Sequence, residues 1–206
     1  MRPSHFLPAA ALLAVLASAA ATDPAFSERG KLLFSDDFSA ATLKPGWAGK
    51  PGKWEIVNGA AMISERTEDK HAAVRRHPLQ YHDAIFEFSF QFNGAKMLAL
   101  SINNKGGHVC RLQISPTGMI LQTDKPNATS DLKTVRLAAA QFPVEAGKWH
   151  KVVLEVRGKR MTAQIDGKQT VTGENALVDV DKTDFGFPVA GVSALLANIR
   201  IFEVKR

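Results

Sequence analysis

The chain has 206 residues, 45% of them hydrophobic, with 26 Lys and Arg against 20 Asp and Glu for a net charge of +6. The basic residues are scattered, with "VRRH" and "RGKR" as the only short clusters; nucleic-acid binding, which wants a continuous basic patch or a known module, is therefore not expected. A lone cysteine, Cys110, excludes an intrachain disulfide and leaves the core alone to hold the fold.

The first stretch reads as an export signal. Arg2 gives a positive start, "FLPAAALLAVLASAAA" is a short apolar run, and it ends in small residues suited to a signal peptidase. The run is too short for a good membrane span. Residues 1–21 are thus expected to be a signal peptide, and residues 22–206 a single domain in a secreted or periplasmic protein, with no transmembrane segment after cleavage. Cleavage after Ala21 leaves 185 residues and a net charge of +5. That length suits one sizeable core, and the positive balance is compatible with attraction to acidic polysaccharide.

The rest of the chain reads as strands and turns. "KLLFSDDFS" is a short strand ending in a polar turn. "KWEIVNGAAMIS" is a hairpin around Asn58-Gly59, the pair favoured in a type I′ turn. In "AIFEFSFQF", Phe86, Phe88, Phe90 and Phe92 fall on one face and Glu87, Ser89 and Gln91 on the other. That period of two marks a half-buried antiparallel strand. "KMLALSIN" continues the pattern, with Leu98, Leu100 and Ile102 inward and Ser101 and Asn103 outward. After the "NKGG" turn, "HVCRLQI" puts Cys110, Leu112 and Ile114 inward and Arg111 and Gln113 outward. "SDLKTVRLAAAQF" offers no clear alternation and reads as one helical turn or an irregular excursion. In "WHKVVLEVRGKRMTAQIDGKQT", Val152, Leu154 and Val156 and then Met161, Ala163 and Ile165 point inward, and Asp166-Gly167 makes the next turn. "LLANIRIFEV" is a final strand. About ten to twelve such strands imply an all-β, two-sheet antiparallel β-sandwich or jelly roll.

Four pieces in this order carry a resemblance: "DDFS", "KWEIVNG", "GKWHKVVLEVRGKRMTAQIDGK" and "ANIRIFEV". Together they resemble the concanavalin A-like (laminin G-like jelly-roll) domains and, more narrowly, the 3-keto-disaccharide hydrolase domain family, which is related to family 16 glycoside hydrolases. The likeness runs over residues 32–204. It implies an exported domain that binds carbohydrate, with hydrolysis of a keto-disaccharide or glycoside and a non-catalytic interaction scaffold both left open, since this fold serves either. It also implies structural roles for Trp149, capping the core, and for the Asp-Gly hairpin, with His150 an outward neighbour. The classical family 16 signature spaces carboxylates along one strand for retaining chemistry. Here Ser89 follows Glu87 and the second carboxylate is missing.

Candidate site residues follow from facing direction. Gln91, Ser101, Asn103, Arg111 and Gln113, with Ser89, form an expected belt of groups suited to sugar hydroxyls, which both donate and accept hydrogen bonds. Lys70 and His71 in "TEDKHAAV" and His108 in "GGHVCR" would close one end, and His71 or His108 would be the acid–base group if hydrolysis occurs. The histidines show no metal-binding spacing, so neither a metal site nor another cofactor is expected. Asp179, Asp181 and Asp184 in "DVDKTDFG" are the carboxylates that a structural calcium would use.

Overall fold

The computed structural model describes residues 26–205; the expected signal peptide, residues 1–21, lies outside them. The described residues form thirteen strands. They are β1 (Arg29–Asp36), β2 (Lys53–Val57), β3 (Ala60–Ser64), β4 (Arg76–Tyr81), β5 (Ala84–Asn104), β6 (Gly107–Ser115) and β7 (Gly118–Thr123). There follow β8 (Val135–Gln141), β9 (His150–Arg157), β10 (Arg160–Ile165), β11 (Gln169–Glu174), β12 (Lys182–Gly186) and β13 (Val189–Val204). Two 3-10 turns, Thr67–Asp69 and Ala176–Val178, are the helical elements among the described residues. None is long and apolar enough to cross a membrane.

Two long strands organise the rest. "AIFEFSFQF" and "KMLALSIN" form one 21-residue strand, β5, which pairs antiparallel with the 16-residue β13. The first part of β5 also pairs with β9, and its last part with β6 and β12. Both halves turn even-numbered residues to the core: Phe86, Phe88, Phe90 and Phe92, then Leu98, Leu100 and Ile102. The chain therefore folds over at the middle of β5. One sheet runs β11-β10-β9-β5-β13, with β1 and the β3-β2 hairpin both paired to β13, and the other runs β8-β7-β6-β5-β12-β4. At the corner, Gly94 (φ 80°) and Gly191 (φ 97°) take backbone angles that L side chains rarely adopt. The β5–β13 register slips around Gly191, where an added Cβ would lie 2.7 Å from the backbone nitrogen of Lys96. The far edges also meet, since Gly173 of β11 lies against Leu137 of β8.

Between the sheets lie the alternating apolar faces of β5, β6, β7, β9, β10 and β13, with Cys110 buried among them. The "DDFS" stretch closes β1. Asp36 is buried and accepts hydrogen bonds from the Phe38 backbone N–H (3.0 Å) and the Trp47 indole N–H (2.9 Å), which satisfies a carboxylate that would otherwise be costly to bury. The two predicted type I′ positions hold: Asn58 and Gly59, and Asp166 and Gly167, all have positive φ.

Three expectations are corrected. "VRLAAAQ" is strand β8, not a helical turn. Trp149 does not cap the core; it is 44% exposed, while His150 is 4% exposed. His150 shares the inward phase of Val152 and Leu154. Its Nδ1 lies 2.7 Å from Asp166 Oδ2, its Nε2 is 3.0 Å from the Glu145 carbonyl oxygen, and its ring packs on Phe90. The expected belt is divided: Ser89 and Gln91 share β5 with Ser101 and Asn103 but lie on the other side of its bend, and so fall on a different sheet.

Candidate functional site

The outer face of the second sheet gathers most of the expected polar residues. Antiparallel pairing sets Ser101 of β5 opposite Arg111 of β6 and Gly186 of β12, and sets Asn103 opposite His108 and Asp184. A cleft of about 190 Å³ opens there between His71, Arg76, Ser101, His108 and Arg111, with Val74, Met97 and Pro188 as its apolar wall. His71 arrives from the segment before β4. The tight turn joining β5 to β6 delivers His108.

The polar groups under this cleft are held in order. Asn103 donates from Nδ2 to Asp184 Oδ1 at 2.6 Å, and Asp184 is also met by Thr183 Oγ1 at 3.2 Å and Arg76 at 3.5 Å. With its amide nitrogen so committed, Asn103 turns its carbonyl oxygen toward His108 Nδ1, 2.7 Å away, and Ser101 Oγ, 3.4 Å away. A carbonyl can only accept, so Nδ1 of His108 carries the hydrogen and the neutral ring keeps its lone pair on Nε2. Burial pushes the His108 pKa down. Arg76 and Arg111 add to that effect, and Asp124 and Asp184 oppose it. The ring is therefore neutral at neutral pH, ready to accept a hydrogen bond or a proton.

Arg111 is anchored from behind. Its Nε lies 2.6 Å from Asp124 Oδ2, and Asp124, 3% exposed, also accepts from Gln122 Nε2 at 2.7 Å. That fixes the plane of the guanidinium and leaves its terminal N–H groups for the cleft, a preorganised fork for paired oxygens. His71 holds the Ala72 carbonyl at 2.7 Å through Nδ1, which fixes its tautomer in the same way.

The remaining expected residues are placed less centrally. Lys70 caps the 3-10 turn in a left-handed conformation (φ 48°), is exposed, and does not line the cleft. Gln113 shares the outward phase of Arg111 but lies one pair further along the face, opposite Ala99 and Ile120. Gln91 is on the other sheet and donates to the Gly147 carbonyl. Arg76 and Asp124 were missed by sequence reasoning, although Arg76 lies in the "VRRH" cluster, and Asp184 was read there only as a carboxylate for calcium. Of the acids in "DVDKTDFG", Asp179 and Asp181 flank His82, at 2.9 and 2.8 Å, and Asp184 serves Asn103 instead. No group of three or more His, Cys, Asp or Glu side chains among the described residues is placed to hold a metal ion. Glu87, the carboxylate in the family 16-like strand position, lies on the first sheet in ion pairs with Arg29 and Arg200.

No family model and no curated protein matches this sequence. Solved structures do match. Carbohydrate-binding module CBM66 from Bacillus subtilis aligns at a TM-score of 0.61 and 14% identity, over 77% of this chain and 96% of its own. SCLam, a non-specific endo-β-1,3(4)-glucanase from family GH16, aligns at 0.60 and 14%, over 85% of this chain and 91% of its own. A protein of unknown function with a galectin-like fold from Bacillus subtilis aligns at 0.65 and 11%, over 88% of this chain and all of its own. At such identities the likeness is one of architecture: the chain has an antiparallel jelly-roll β-sandwich fold like that of these structures.

Proposed function

We propose that this protein is an exported carbohydrate-binding domain that holds a sugar in the cleft between His71, Ser101, His108 and Arg111. The observation that carries this reading is their convergence. An anchored guanidinium, a hydroxyl and two imidazoles of fixed tautomer line one small cleft with an apolar wall. Small-ligand sites combine a few preorganised polar groups with apolar walls in this way. Two fold neighbours are by their names a carbohydrate-binding module and a glucanase, which supports the same class of ligand.

Hydrolysis of a keto-disaccharide or glycoside is a second reading, favoured by His108. A neutral imidazole whose free nitrogen faces the cleft, backed by the Asp184–Asn103 pair, is the arrangement a general base requires. The Glu87 strand supplies no second carboxylate for retaining chemistry, so a family 16 mechanism is not invoked.

The test is a binding and turnover screen of the purified protein on neutral oligosaccharides and 3-keto-disaccharides. Arg111→Lys, which keeps the charge over Asp124 but loses the planar fork, should weaken binding of any glycan found by about 10- to 100-fold, the scale of a charge-assisted hydrogen bond. His108→Asn should reduce turnover more than affinity. Unchanged glycan affinity in Arg111→Lys would remove the cleft as the site. Absence of any sugar binding would leave the fold as a non-catalytic interaction scaffold.

A further inference from the structure

A second, larger groove of about 660 Å³ crosses the outer face of the first sheet, on the side of the sandwich away from the cleft. Strands β1, β5, β9 and β13 build it. Its lining carries four cations, Arg29, Lys44, Lys151 and Arg200, against two carboxylates, Asp37 and Glu87. Lys44 is partly committed, its ammonium 3.2 Å from the Ser35 carbonyl oxygen and 3.7 Å from Asp36 Oδ1, so the cations free to meet a ligand are the two arginines and Lys151. Glu87 is 8% exposed and engages both arginines, Arg29 through Nε and NH2 and Arg200 through NH2 at 2.7 Å. Both carboxylate oxygens are thereby consumed at the groove floor. Each guanidinium is held in place yet keeps further N–H donors, and Arg200 also stacks over the Phe202 ring at 5.8 Å. Lys151 points outward from β9 and its ammonium has no partner among the described residues. Asp37 also lines the groove, and its Oδ1 accepts from the Ser39 N–H and hydroxyl.

One feature of β13 adds a neutral group. Between Ala197 and Arg200 the β5–β13 register slips, and Asn198 takes a left-handed conformation (φ 53°), exposed in the groove wall. Bulges of this kind re-aim a side chain, commonly beside functional sites. With Ser35 and Ser89, Asn198 gives the groove hydroxyl and amide groups between its cations.

We propose that this groove binds an acidic glycan segment, a sugar chain bearing carboxylate or sulfate groups. Fixed guanidinium forks suit either anion, and the interspersed Ser and Asn side chains suit sugar hydroxyls. Nucleic acid fits less well. Single-stranded nucleic acid is held by exposed aromatic stacking platforms, and the one aromatic ring of this lining, Phe88, is buried in the core at 3% exposure. The site is independent of the cleft on the other sheet.

Titration calorimetry on the purified protein would decide, using a galacturonate hexasaccharide, a sulfated glucan hexasaccharide, a neutral glucan hexasaccharide and a single-stranded oligonucleotide. One acidic glycan should bind more tightly than the neutral one, with affinity falling as salt is raised, and the stronger of the two identifies the anion. Arg200→Gln, which leaves Arg29 on Glu87, and Lys151→Glu, which breaks no hydrogen bond, should each lower that affinity about tenfold or more. Arg111→Lys should leave it unchanged. The proposal fails if neither acidic glycan outbinds the neutral one, or if both groove variants bind as the wild type does. It fails as well if Arg111→Lys abolishes the binding, or if the oligonucleotide outbinds both acidic glycans.

Discussion

His108 and His150 show how far a single imidazole's role depends on what meets its two nitrogens. His150 has both engaged, by Asp166 and by the Glu145 carbonyl, and is a buried fastening between β9 and the β10–β11 turn. His108 has one engaged and the other free at the cleft. Burial lowers its pKa from the ordinary 6.5, so the native state resists the proton that the unfolded chain accepts. The sign follows: from neutral pH down through 6.5, protonation of this ring favours unfolding, until the pH passes the lower native value. The NMR titration midpoint of His108 should therefore lie below 6.5, and Arg76→Gln should move it upward by removing the cation that, after burial, does most to hold it down. The phase of His150 was legible in the sequence, since the even-numbered inward row of Val152, Leu154 and Val156 includes it. What the alternation could not announce is the partner that makes a buried imidazole tolerable, since Asp166 sits in the turn beyond the next strand.

At the scale of strands, the alternation in β5, β6, β9 and β10 and the Asn58-Gly59 and Asp166-Gly167 turns were readable because each has a buried face and a turn chemistry that one residue pair satisfies. Strand β8 was not, because it is an edge strand whose residues are nowhere fully buried, so no apolar period marks it. The gathering of Ser101, His108 and Arg111 followed from phase plus one tight turn. Asp184 and Arg76 reach the same cleft from strands far along the chain, and no local pattern announces such partners. The bend in β5 was equally hidden, because the parity of its inward residues is unbroken across it. Its glycines give a direct check. Gly191→Ala at φ 97° would place a Cβ 2.7 Å from backbone, whereas Gly59→Ala at φ 73° meets nothing within 4 Å. Both changes strain the backbone, by about 1 kcal/mol or more. Urea denaturation should show Gly191→Ala to be clearly the more destabilising of the two.

For the molecule as a whole, stability rests on one core between two sheets, without disulfides. Leu154 and Phe90 are fully buried in it, and truncating either to Ala should cost about 2–5 kcal/mol in chemical denaturation. Cys110 offers a built-in reporter. Burial pushes its thiol pKa up to about 12, so the native thiol is protonated and shielded. Its labelling by a thiol reagent should proceed only as fast as the molecule opens, and Leu154→Ala should accelerate that labelling. Reaction of the wild-type thiol at the rate of a free cysteine would contradict the burial of β6 between the sheets.

Strands β1 and β13 run antiparallel, with Arg29 opposite Val204, and Lys205 next to Glu28 through both a backbone hydrogen bond (3.0 Å) and an ion pair (2.6 Å). Points 28 and 205 of the chain are thus neighbours at one corner. If the molecule is held at those two points and pulled, the load does not spread across the ladder in shear. It opens β1 from β13 like a zipper, one rung at a time, beginning at the Glu28–Lys205 contact. A sandwich that resists denaturant as a single core would then yield to a modest tug from this corner, and loss of β1 would take Arg29 and Ser35 out of the groove before the opposite cleft was disturbed.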